Sequence, residues 1–168
     1  MQDDTPPPMN PLPPVIWALA LPPIAVEVVV NLGASGLVNT PGADGWRQQA
    51  WERFAFVPDL WRAMVAAHQY PLDGLMRFIS YPLVHGSFTH TLFVLVIFLA
   101  LGKTVAQVFR WWAVVVLVFG ATVAGAFAMA ALPQIKQALI GGYPPVYGMI
   151  GAFTYLQWTT LGAAGGNR

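Results

Sequence analysis

Four apolar runs, each close to the ~20 residues that cross a bilayer as a helix, decide what this chain can fold into. They cover residues Val15–Leu32, Phe88–Val108, Trp111–Leu132 and Pro145–Leu161. Hydrocarbon offers backbone N–H and C=O groups no partner, so segments of this kind must close their hydrogen bonds internally, as helices. Charged residues make up only 9% of the chain and hydrophobic ones 57%. Soluble domains carry charge on about a quarter of their residues. The expected fold class is therefore an all-α membrane protein, a helical bundle with four spans in this sequence. Residues 1–13 read as a disordered, proline-rich tail, and residues 14–168 as one transmembrane domain.

The remaining composition mostly excludes. A formal net charge of +1 gives no basic surplus, so no nucleic-acid partner is expected. With no cysteine there is neither a disulfide framework nor a thiolate metal site. No cofactor is expected. The start, Met1-Gln-Asp-Asp-Thr-Pro-Pro-Pro, lacks the basic region of a signal peptide, so the first apolar run reads as a retained anchor. Pro22-Pro23 should kink that anchor. Gly120 and Gly125 in the third run, and Gly148 and Gly151 in the fourth, are small residues that let helices approach closely.

A long connection, residues 34–84, joins the first and second runs and holds most of the charge. It is rich in aromatics, among them Trp46, Trp51, Phe56, Trp61 and Phe78. From Asp59 to His68 apolar residues recur at helical spacing, with Pro58 suited to a first turn. Such a helix with Trp61 on its apolar face either lies at the membrane interface or packs on the protein's own surface; the interface is the expected place. Lys103 and Arg110 flank the turn between the second and third runs, whereas only Lys136 lies between the third and fourth. The positive-inside rule then puts the N-terminus in the cytoplasm and the long connection outside.

Two unusual segments meet at that outer end. One is Tyr81-Pro-Leu-Val-His85-Gly-Ser-Phe-Thr-His90, leading straight into the second run. Imidazoles at the mouth of a membrane helix are costly and need a reason. On a regular helix they would point roughly 140° apart, so they would not chelate one metal. Taken alone, each could simply hydrogen-bond nearby backbone. The other segment is Gly141-Gly142-Tyr143-Pro144-Pro145-Val146-Tyr147-Gly148.

Together these segments resemble the rhomboid family of intramembrane serine proteases. Rhomboids have a Trp-Arg-like pair in the outer loop, then His-x4-His-x3-Asn, then Gly-x-Ser-Gly opening a later helix. Here Met76-Arg77 is similar to the pair, with its tryptophan replaced. His85-Gly-Ser-Phe-Thr-His90 matches the histidine spacing. The resemblance gives His90 the oxyanion-stabilising position and His85 a structural one. The asparagine position falls on Val94, which has no donor. The nucleophile position falls on Tyr143, and the glycine after it on Pro144.

These departures remove chemistry. A phenol is bulky, largely protonated at neutral pH, and a poor acyl-transfer nucleophile. Pro144 lacks a backbone N–H beside the place where an oxyanion would form. The family's base is a histidine on a sixth span. The four runs carry none in that role, and His68 falls in the outer connection. Two further spans would restore a histidine but not the serine. No catalytic residue is therefore assigned. The resemblance implies a client-binding or scaffold subunit of a membrane assembly, as in the inactive derlins and iRhoms. Its expected partners are membrane lipids and a transmembrane protein, and its expected location a multi-pass position in the bacterial inner membrane. The alternative is an active protease with relocated chemistry, for which only Ser80 or Ser87 could come close. Arg77 is expected to pin the outer loop through carbonyl contacts. Glu27, near the outer end of the first run, is expected to reach the headgroups or to pair with Arg77.

Overall fold

A computed structural model describes residues 11–165. Residues 1–10 of the expected tail lie outside the described residues. Helix α1 spans Pro14–Ala34. Three short helices follow: α2 at Trp46–Phe54, α3 at Pro58–Ala67 and α4 at Leu72–Ser80. The long helices α5, α6 and α7 occupy Phe88–Val108, Trp111–Ala131 and Tyr143–Gly165. The described residues contain no strand, only an isolated antiparallel pairing of Phe56 with Leu139.

Local chemistry sets these boundaries. Pro14 and Pro58 sit in first turns, where an amide N–H has no helical partner to lose. Ser87 is extended and caps α5, its Oγ accepting from the His90 N–H at 3.2 Å. Helix α1 continues through Pro22 and Pro23 without a break, although each removes one backbone donor.

Among the described residues three helices, α1, α5 and α6, are long and apolar enough to cross a membrane. The expected fourth span corresponds to α7, whose 23 residues have the length. Its later turns carry Thr154, Tyr155, Gln157, Thr159 and Thr160, which make it more polar than the other three. Helix α7 nevertheless packs against both α5 and α6, and α1 packs against α5.

The bundle core is built from Ile16 and Ala20 of α1, Phe98 and Val105 of α5, Val114 of α6, and Val146 and Met149 of α7. A second cluster lies under the short helices and joins Phe56, Phe78 and Tyr81 to Ala126 of α6. Trp61 belongs here. Its ring meets Phe78 edge-on at 4.9 Å and Phe127 at 5.9 Å. Of the two places expected for its apolar face, Trp61 itself packs on the protein, between aromatic partners on α4 and α6. Helix α4 exposes Leu72, Leu75, Met76 and Ile79 at helical spacing, and α3 exposes Leu60 and Val65.

Candidate functional site

The two histidines come together because only one is helical. Pro82 directs the chain into a 3₁₀ turn at Tyr81–Leu83, and α5 does not begin until Phe88. His85 therefore precedes the helix and His90 lies in its first turn. Their rings meet edge to face, with centroids 5.0 Å apart.

His85 is fixed from several sides. Its carbonyl accepts from the Arg47 guanidinium at 3.0 Å and from the Trp51 indole N–H at 3.0 Å. Its Nε2 accepts from the Gly142 N–H at 3.2 Å, tying α5 to the start of α7. An accepting Nε2 leaves the proton on Nδ1, which has no partner among the described residues. Burial pushes the His85 imidazole down to about 4, because a charged ring would lose its hydration there. His90 is arranged the other way round. Its Nδ1 accepts from the Gly86 N–H at 3.3 Å, so its N–H is on Nε2, buried and without a partner among the described residues.

The α6–α7 connection closes over this pair. Phe56 and Leu139 exchange backbone hydrogen bonds of 3.0 and 2.8 Å, and the Gly141 N–H donates to the Tyr81 carbonyl at 3.0 Å. Gly141 has φ of +87°, a left-handed conformation that favours glycine. A Cβ there would lie 2.6 Å from His90 Cε1. A Cβ on Gly142 would lie 2.7 Å from Val94 Cγ1. The Gly-Gly pair is thus the space into which the histidines and Val94 fit.

Tyr143 opens α7 with its ring stacked on His90, centroids 5.0 Å apart and planes 22° apart. Tyr147 stacks next to it at 6.2 Å. Pro144 and Pro145 occupy the first turn of α7, where their missing N–H groups cost the helix nothing. The alcohols nearby are engaged in structure. Ser80 Oγ donates to the Phe54 carbonyl at 3.0 Å, and Ser87 Oγ is the α5 cap.

Glu27 pairs with Arg47, not with Arg77 or the headgroup region. One Arg47 nitrogen lies 2.7 Å from Oε1 and the other 3.1 Å from Oε2. Asn31 and Thr91 donate to the same carboxylate, so all of its acceptors are occupied. Arg77 is elsewhere, donating to the Ala55 and Glu52 carbonyls at 2.9 and 2.7 Å. It ties α4 to α2.

The glycines divide. A Cβ at Gly125 would lie 2.6 Å from Pro144 Cβ, and one at Gly148 would lie 2.7 Å from Ala121 Cβ. Both mark close α6–α7 approach. Gly120 and Gly151 have nothing within 4 Å, so they mark no close approach within the described chain. At Gly102, which the sequence did not single out, a Cβ would lie 2.9 Å from Ile16 Cδ1, so this glycine marks the close approach of α1 to α5. Arg47 was not singled out either, and Trp51 only as one of the aromatics of the connection. Their i, i+4 spacing, which puts both on one face of a helix, was the available signal.

The family model of the rhomboid domain matches residues 73–165, from α4 to the end of α7. That is more than half of the chain, and it takes in both histidines and the Gly141–Gly148 segment. The chain belongs to the rhomboid family. No curated protein and no solved structure matches it. In this rhomboid the His-x4-His segment and the glycine-rich turn lie against each other, with a tyrosine ring on the outer face of His90.

Proposed function

We propose that this rhomboid works as a client-binding or scaffold subunit of a membrane protein assembly and does not cut peptide bonds. The observation that carries the reading is Tyr143, which holds the nucleophile position and lies flat against His90 at 5.0 Å. Acyl transfer needs a nucleophile within reach of a base, and donors aimed at the developing oxyanion. The phenol in that place lies over the flat face of the ring and is a poor acyl-transfer nucleophile. Lateral contact with another membrane helix is what the fold then offers. Charge asymmetry supports an N-terminus in the cytoplasm and the α2–α4 region outside.

A second reading is favoured by the unpartnered His90 Nε2–H, a donor of the kind an oxyanion would use. Under it the protein is an intramembrane endopeptidase with a displaced nucleophile. Ser80 and Ser87 count against it, since each hydroxyl already serves the fold.

The deciding experiment extracts the protein from native membranes in several mild detergents and identifies what copurifies. A stoichiometric transmembrane partner, with no cleavage of model transmembrane substrates, is expected. A clean monomer that cleaves such substrates would overturn the proposal.

A further inference from the structure

Helices α1 and α6 touch little. Between them, beneath α4, lies a cavity of about 200 Å³. Buried Val94, Phe98 and Val118 form its floor, and exposed Ala18, Ile79 and Phe119 stand at its rim. Pro22 and Pro23 of α1 line one wall. No lining residue carries a formal charge. Thr122 also lines the cavity, but its hydroxyl is spent on the Val118 carbonyl at 2.8 Å. His85, which is 2% exposed, closes the inner end, and its Nδ1 has no partner among the described residues.

Size and polarity choose the occupant. Polar groups are few in this lining, chiefly the His85 Nδ1 and the Ala18 and Leu19 carbonyls that Pro22 and Pro23 leave without donors, and the rest is apolar; a dry cavity of ~150 Å³ already takes up a small hydrocarbon. A helix is ~10 Å or more across and does not fit. The rim faces outward between two helices apolar enough to span a membrane, so the hydrocarbon at hand is that of the bilayer. We infer that this cavity is a binding site for one acyl chain of a membrane phospholipid, entering between α1 and α6 and ending at His85. The seated chain fills the gap that α1 and α6 leave unpacked. The cavity adjoins the candidate site through His85, Val94 and Gly142, on the side away from the Tyr143–His90 stack, since neither Tyr143 nor His90 lines it.

The test reconstitutes the full chain in vesicles of phosphatidylcholine carrying a diazirine midway along one acyl chain, followed by irradiation and peptide mapping. Val116 of α6 and Val28 of α1 are lipid-exposed and acquire label whatever the cavity holds. Label is also expected at buried Phe98 and Val118, which lipid reaches only through the cavity. Ala18→Trp at the rim is expected to remove the deep label and leave Val116 labelled. Leu95→Trp, from the α5 wall, repeats the block should the first variant misfold, as read by helix content. A diazirine fatty acid, tried in parallel, separates free acid from phospholipid. Wild-type label confined to Val116 and Val28 would overturn the inference. So would deep label that persists in a folded blocked variant, or deep label from the fatty acid alone.

Discussion

The ring of Tyr143 lies nearly parallel to the imidazole of His90, the planes 22° apart, while the Gly86 amide holds His90 Nδ1. An aromatic pair of this kind contributes ~0.5–1.5 kcal/mol beyond its buried area. The tyrosine is therefore part of what keeps the start of α7 against the start of α5.

Ser87 separates the two functional readings. Its hydroxyl caps α5, so Ser87→Ala should cost ~1 kcal/mol of stability. It should leave reaction with fluorophosphonate probes at the wild-type level, which is expected to be none. In-gel fluorescence of wild type and variant decides. Wild-type labelling that disappears in the variant would make Ser87 a nucleophile.

Gly141→Ala should destabilise strongly. The left-handed backbone costs an alanine ~1–2 kcal/mol, and the new methyl would lie 2.6 Å from His90 Cε1. Gly120→Ala is the matched control. It has open space around it, and alanine gains ~1 kcal/mol of helix propensity over glycine. Detergent-solution melting should place Gly141→Ala well below wild type and Gly120→Ala at or above it. Equal behaviour of the two would mean that the glycine turn is not held as described.

Arg47→Ala leaves the Glu27 carboxylate buried without its cation. Breaking such a pair costs ~3–5 kcal/mol, and the lower end applies because Arg47 keeps part of its surface in water. Glu27→Gln retains the hydrogen-bond acceptor and should cost clearly less. Equilibrium unfolding of both variants and of the double variant measures the coupling; a strictly additive double variant would contradict the pairing.

His85 should make stability fall on acidification. Its folded pKa of about 4 lies below the ordinary value of 6.5. Above pH 6.5 the ring is neutral in both states and the Gly142 hydrogen bond is intact. As pH falls through the window from 6.5 to 4, the unfolded chain takes up the proton first, and stability drops until the folded ring protonates too. Melting temperatures at pH 7, 5.5 and 4.5 should decline in wild type and decline less in His85→Gln. Parallel curves would remove His85 as the cause.

The orientation is tested with single cysteines, since the chain has none of its own. Cysteine at Gly45 should react with an impermeant thiol reagent added outside, and cysteine at Gln107 should not. The opposite pattern would invert the molecule in the membrane.

Long-range arrangement was legible where a single physical demand dominates. The apolar lengths of α1, α5 and α6 follow from bilayer thickness, and Pro58 marked the start of α3 because proline tolerates a first turn. Polarity within α7 blurred the same signal. The meeting of His85 with His90 was readable only in part, since a helical wheel assumes that both are helical and Ser87 decides otherwise. The partner of Glu27 was not readable from spacing. Arg47 and Arg77 are both basic loop residues, and only the way α2 and α4 fold back separates them. The cavity under α4 had no signal at all, because it arises from two helices failing to touch.

The Glu27–Arg47 pair also bears on how the protein is made. Chains emerge from the N-terminus, and Glu27 precedes its partner by 20 residues. Glu27 leaves the ribosome before Arg47 does, and well before Thr91, which also donates to its carboxylate. Insertion of the first helix and its final seating are therefore distinct events in time. The second waits for the connection that carries Arg47, so a defect there would surface as a first helix that inserts but is never locked.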